Sequence, residues 1–217
     1  MKRIVAATKN RHKIEEIQAI TEEFGMNIVS RDEAGVPDVE IVEDGSTFEE
    51  NSYKKAHGIM ELCGEITVAD DSGIEVDRLD GAPGIYSARF AAFPGNFPEE
   101  GDEDGESTDE KNNEKLLRLM KGVPYEERTA RFVSVITMVF PDGRTIVARG
   151  TVEGYLADEL RGDGGFGYDP MFIPEGYTQT MGEIGAEEKN RISHRANALK
   201  VLRLKLQKEI GELDGTL

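Results

Sequence analysis

Val68-Ala69-Asp70-Asp71-Ser72-Gly73 closes a short apolar run, Ile66 to Ala69, with two adjacent carboxylates and a Ser-Gly pair. The run reads as a buried strand that ends at the acids, with Ser72-Gly73 as a turn. Two acids in series cannot both enter an apolar core, because an unpaired buried charge is too costly. At least one must face solvent, a cation or a bound group. An acidic pair beside a tight turn suits a divalent cation or an activated water. A strand ending in a solvated Asx turn is the plainer alternative.

Working outward from that strand, Thr47 with Glu50 three residues on forms a capping-box pattern that predicts a helix to about Leu62. Further upstream, Ile4 to Ala7 reads as a strand. Lys13 to Phe24 places Ile14, Ile17, Ile20 and Phe24 at helical spacing. Ile28 and Val29 suggest a second short strand, and Arg31 to Gly45 is irregular. Downstream, Gly81-Ala82-Pro83-Gly84 marks a loop, and Pro94 to Asp109 reads as a mobile, solvated acidic loop or insertion. Glu110 to Met120 returns to helical spacing. Thr129 to Phe140 and Arg144 to Thr151 are β-rich runs joined by Pro141-Asp142-Gly143, a hairpin signal. A glycine-rich loop follows at Arg161 to Pro170, then a short strand at Met171 to Ile173. A long helix from Ser193 to Ile210 ends the pattern. Strands alternating with helices, plus one hairpin, predict an α/β fold: a central mixed sheet flanked by helices, in one domain over residues 1–217.

Composition narrows the function classes. The formal net charge of −17 on 217 residues repels nucleic-acid backbones, so no nucleic acid is expected as a partner. The same field repels a nucleotide unless basic groups converge locally. The single cysteine, Cys63, excludes an internal disulfide and a cysteine zinc site. The three histidines share no metal-ligand spacing. No apolar run approaches the roughly 20 residues of a membrane span, and the first residues do not read as a signal peptide. A cytoplasmic location without membrane association is the expectation.

Four segments carry residues suited to chemistry. Thr8-Lys9-Asn10-Arg11-His12-Lys13 joins the first strand to the first helix. Free N–H groups and the positive helix end make it a candidate phosphate cradle, without the glycines of a Walker loop. An exposed polar turn with a helix cap is the alternative. Glu43 precedes a glycine turn and is a candidate metal carboxylate, with Glu40 and Asp44 as close competitors. Lys55 lies two turns into the capped helix and could reach a phosphate; of Lys54 and Lys55, one is expected to be plain solvated charge. In Gly164-Gly165-Phe166-Gly167-Tyr168-Asp169-Pro170, two aromatics offer a flat surface for a base, and Asp169 could accept from ring N–H groups. A turn with buried aromatics is the alternative. In Lys189-Asn190-Arg191-Ile192-Ser193-His194-Arg195, Ser193 reads as an N-cap. Cations just after it oppose the helix dipole and hint at an anionic or carbonyl partner.

Taken in order, the segments Ala7–Lys13, Thr47–Asn51, Ala69–Gly73, Gly81–Arg89, Gly164–Pro170 and Ile192–Arg195 resemble the inosine/xanthosine triphosphate pyrophosphatases. These are house-cleaning enzymes for non-standard purine nucleotides. The resemblance runs from about Ile4 to Leu206. It implies two lobes around an active-site cleft, usually in a homodimer. It also implies cleavage of ITP, dITP or XTP between the α and β phosphorus, with Mg²⁺ or another divalent ion. By the same resemblance, Asp71 is the general base and a metal ligand, Glu43 its metal partner, and Asp70 supporting. Thr8, Lys9, Asn10, Arg11, His12, Lys13 and Lys55 hold the triphosphate, and Ser72 touches the substrate. Phe166, Gly167, Tyr168, Asp169, Lys189, His194 and Arg195 surround the base and sugar. Ser52 departs from the family's usual Ala, and the segment from Ala91 to Gly105 is longer and more acidic than the family pattern.

Overall fold

The structure, a computed structural model, describes residues 2–8, 11–92 and 107–214, apart from the side chains of residues 11, 12 and 210–214. Its strands are β1 (Lys2–Ala6), β2 (Met26–Ser30), β3 (Ile66–Val76), β4 (Thr129–Val139), β5 (Thr145–Leu156) and β6 (Phe172–Pro174). Its helices are α1 (Arg11–Thr21), α2 (Phe48–Cys63), α3 (Asp109–Leu119), α4 (Ala186–Ile192) and α5 (His194–Asp214). The strands order as β2-β1-β3-β4-β5-β6. The β1 strand runs parallel to both β2 and β3, whereas β5 and β6 are antiparallel, so the sheet is mixed as expected.

The described residues fall into two compact units. One draws on Met1–Asp71, Ser134–Gly150 and Arg195–Leu217; the other on Ser72–Val133 and Thr151–His194. In the first unit both faces of the sheet are covered, and the strand period decides which residue meets which helix. Ile4, Ala6, Val68, Ile136 and Met138 pack with Ile17 of α1 and with Ala198, Leu199, Leu202 and Leu206 of α5. Their neighbours Val5, Ala69 and Val139 pack with Ala56 and Ile59 of α2. This double covering explains why β1 reads as an unbroken apolar run. The second unit has its own core, built around Phe90, Leu116, Met120, Phe132, Met171 and Phe172.

The cap predicted for α2 is present. Thr47 is extended, and its side chain accepts from the Glu50 N–H at 3.1 Å. Glu50 reaches back one residue further than a simple capping box, to the Ser46 N–H at 2.7 Å and hydroxyl at 2.8 Å.

Two local expectations are corrected. The strand does not stop at the acids; β3 continues to Val76, so Asp70 and Asp71 lie within it. Gly73 serves close approach rather than a turn: a Cβ there would sit 2.3 Å from Ser87 Oγ and 2.5 Å from the Gly84 carbonyl. The last helix is also preceded by α4, which sequence periodicity missed because seven residues give it under two turns. Ser193, extended between α4 and α5, occupies the predicted junction. The acidic segment 94–109 lies, as far as residue 106, outside the described residues. Among the described residues no helix is long and apolar enough to cross a membrane.

Candidate active site

The alternation of β3 splits the acidic pair. Val68 faces α1 and α5, so Asp70 does too; Ala69 faces α2, so Asp71 does too. Adjacent carboxylates thus acquire two different environments.

Asp70 is 2% exposed. Its Oδ2 lies 2.8 Å from Lys13 Nζ on α1 and 3.6 Å from Arg195 Nη2 on α5. Burial alone would push its carboxyl up, but Lys13 and Arg195 outweigh that and hold it below the usual value. The Arg195 guanidinium, itself 7% exposed, also reaches Glu16 Oε2 at 3.3 Å. The closing helix, the first helix and the central strand therefore meet on one buried negative charge. Arg195, which the resemblance placed with the base and sugar, is joined here to the acid pair.

Asp71 is half-buried on the other face. Burial pushes its carboxyl up to about 6, reinforced by Glu43 and Asp70 and opposed by Lys55 and by a hydrogen bond from Asn51. Its Oδ2 accepts no hydrogen bond among the described residues. Lys55 Nζ lies 2.9 Å from Glu43 Oε2 and donates to the Asp70 carbonyl at 3.1 Å. One lysine thus serves both candidate metal carboxylates, through contact with Glu43 and charge on Asp71. Of the competitors to Glu43, Asp44 is exposed and paired with Lys54 at 2.6 Å, and Glu40 is exposed. Lys54 is then the solvated member of the lysine pair.

A divalent ion fits this donor set without a protein cage. No group of three or more His, Cys, Asp or Glu able to hold a metal is found among the described residues. Magnesium commonly takes one or two carboxylates, several waters and substrate phosphates. Asp71, with an unsatisfied oxygen, and Glu43, half-exposed beside it in charge, are such a pair.

In the second unit the glycine-rich loop is held from several sides. Asp169, 4% exposed, accepts from the Phe166 N–H at 2.8 Å and from Lys189 Nζ of α4 at 2.6 Å. Gly165 permits this: at φ +82° a Cβ would lie 2.2 Å from Asp169 Oδ2 and 2.7 Å from Lys189 Nζ. Asp169 is a positioning acceptor in this arrangement, not an open one. The two aromatics separate. Tyr168 is buried, with its hydroxyl donating to the Ser87 carbonyl at 2.7 Å, and burial raises its pKa. It offers no flat surface for a base. Phe166 is 59% exposed, with Lys189 Nζ 5.0 Å from its ring centre. His194 stacks on Phe132 with ring centres 5.0 Å apart.

Of the first segment, Thr8 lies half-exposed two residues beyond β1, and Lys13 reaches Asp70. Lys9 and Asn10 lie outside the described residues, as do the side chains of Arg11 and His12. Ser72 is half-exposed on β3, next to Asp71.

Sequence reasoning gave no role to Asn51, Glu16 or Asn113. Asn51 accepts from the Gly45 N–H at 2.8 Å, which turns its amide NH₂ toward Asp71. It lies one helical turn before Lys55, and Glu16 lies one turn after Lys13, so same-face spacing was the signal for both. Asn113 donates to the Gly167 carbonyl at 2.9 Å, a contact across 54 residues with no local signature.

The profile of the Ham1 family matches residues 4–205. A dITP/XTP pyrophosphatase of Clostridium perfringens is 47% identical over 94% of this chain and 96% of its own length. One of Desulforamulus reducens is also 47% identical, over 91% of this chain and 92% of its own. The solved Staphylococcus aureus Ham1 protein superposes with a TM-score of 0.83 at 40% identity, covering 96% of this chain and all of that one. The chain, matched by the family profile over nearly its whole length and by relatives of its own size, belongs to the Ham1 family.

Proposed function

We propose that this protein hydrolyses non-standard purine nucleoside triphosphates, ITP, dITP and XTP, to the monophosphate and pyrophosphate, keeping them out of nucleic acids. The observation that carries the reading is the division of labour in the acidic pair. Asp70 is fixed as a structural anion by Lys13 and Arg195, while Asp71 is held near neutrality with an oxygen to spare. A carboxylate of that kind suits proton abstraction from water, since a base is most effective with its pKa near the working pH.

In this reading Asp71 orients the attacking water and takes its proton. Lys13 and Lys55, with Thr8, Lys9, Asn10, Arg11 and His12, hold the triphosphate. Water attack on phosphorus needs alignment and charge neutralisation more than covalent chemistry. A divalent ion, Mg²⁺ by preference, supplies part of that neutralisation and would be held by Glu43 and Asp71. Lys13 leaves Asp70 partly uncompensated when it turns to a phosphate, and Arg195 keeps the buried anion paired meanwhile. Ser72, next along the strand, touches the substrate.

Phe166 presents its exposed ring to the base. Lys189 directs one N–H to Asp169, and an ammonium carries three donors. The C6 carbonyl of hypoxanthine or xanthine accepts from a donor of this kind, and adenine's amino group there does not. Opposing two donors costs roughly 1–3 kcal/mol, about ten- to a hundredfold in selectivity. Gly167, Tyr168 and Asp169 support the loop, and His194 contributes to the surroundings of the base and sugar. The protein acts in the cytoplasm as a homodimer, with neither nucleic acid nor membrane as a partner.

Product analysis tests this. With Mg²⁺ and ITP, XTP, GTP, ATP, UTP or dTTP, pyrophosphate is expected from ITP and XTP. Orthophosphate release, or turnover of dTTP or UTP with none of ITP, overturns it.

A further inference from the structure

Both polar groups of the Gly167 residue, N–H and C=O, are occupied by one helix. Asp109 Oδ2, at the first residue of α3, accepts from the Gly167 N–H at 2.7 Å. Asn113 Nδ2, one helical turn on, donates to the Gly167 carbonyl at 2.9 Å. The spacing of four residues puts the two side chains on the same helix face, where together they grip one residue's backbone. Asn113 is 4% exposed, so its rotamer is set by packing; Asp109 is exposed and owes its place to the bond.

The gripped residue is special. Gly167 has φ +58°, and it separates exposed Phe166 from buried Tyr168. Its conformation decides which of the two rings turns outward. A backbone in that left-handed region is readily misplaced once its hydrogen bonds go, because glycine has many alternatives. The peptide before Gly167 has one further tie, its Phe166 carbonyl accepting from the Asp169 N–H at 3.2 Å, while Asp169 to the Phe166 N–H and Tyr168 to Ser87 flank this point.

We infer that Asp109 and Asn113 are positioning residues for substrate recognition: α3 sets the direction of the Phe166 ring through the Gly167 backbone. Neither side chain touches substrate in this account. They act on KM and base selectivity, and leave the hydrolytic groups alone. The inference deepens the pyrophosphatase reading and rests on Phe166 receiving the base.

Steady-state kinetics with ITP and ATP separate the two. If wild-type protein does not turn over ITP, the functional reading itself fails. If it does, Asn113→Asp places an acceptor against the Gly167 carbonyl, and Asp109→Ala removes the acceptor from its N–H. Each is expected to raise KM for ITP about tenfold, with kcat within twofold, and to narrow the ITP over ATP preference. Asp109→Asn keeps an acceptor oxygen and is expected to restore KM to within threefold. Asp109 is exposed, so its variants fold even if an Asn113 variant does not. Unchanged KM in Asp109→Ala, or a fall in kcat at constant KM, overturns the inference.

Discussion

A carboxyl that stays half protonated at about pH 6 gives Asp71 a readable signature. Titration of the Asp71 carboxyl in metal-free protein, followed by NMR, is expected to show ionisation near 6, because burial opposes the charge. Ionisation near pH 4 would mean an ordinary, solvated carboxylate. The same shift has a stability sign. The folded value lies above the unfolded 3.8, so the fold binds this proton more tightly. Stability from this group is full below about pH 4 and is lost as pH rises through 6. At pH 8 the ionised group then costs roughly 2–3 kcal/mol. Asp71→Asn, in a chelator, is expected to melt about 4–10 °C above wild type at pH 8, and level with it at pH 4. Equal melting at both pH values would refute the strain. Asp70 has the opposite sign. Its lowered value stabilises the fold above about pH 4, and that contribution is lost as pH falls through the folded value. Asp70→Asn leaves Lys13 and Arg195 without their anion and should cost about 3 kcal/mol at pH 7, with a flatter acid limb in denaturant melts.

At the scale of elements, β3 does most to make the site. It carries the acids through the sheet rather than to its edge, and its period of two gives one to α1 and α5 and the other to α2. Beyond them Gly73 lets Ser87 approach, and Ser87 Oγ accepts from the Ile74 N–H at 2.9 Å. Gly73→Ala should therefore cost about 2–3 kcal/mol in urea unfolding, and an unchanged midpoint would show that this contact yields freely. Much of this was legible beforehand. The strand, the Thr47 cap, the hairpin turn and the order of elements follow from local periodicity and turn chemistry. The continuation of β3 past the acids was not, since Asp-Asp-Ser-Gly has the composition of a turn and the pull of Ser87 comes from elsewhere. The fate of the two aromatics was equally hidden. Tyr168 and Phe166 look alike in sequence, and the buried partner of the Tyr168 hydroxyl, the Ser87 carbonyl, comes from a distant segment.

For the whole molecule, a net charge of −17 sets the problem that the site solves. An anionic substrate must meet lysines inside a repelling field, and the lysines must be kept in place before it arrives. Asp70 and Glu43 pair with Lys13 and Lys55, so the acids hold the cations proposed to bind the triphosphate. Sequence identified these residues through their resemblance to a family, and their pairing needed the fold, because α1, α5 and β3 meet only there. The central claim is that Asp71, and not its neighbour, removes the proton from water. Pyrophosphate release from ITP by Asp71→Asn, beside wild type and with its fold checked by circular dichroism, tests it most directly. The account predicts a loss of at least about a hundredfold in kcat; release at the wild-type rate would contradict it.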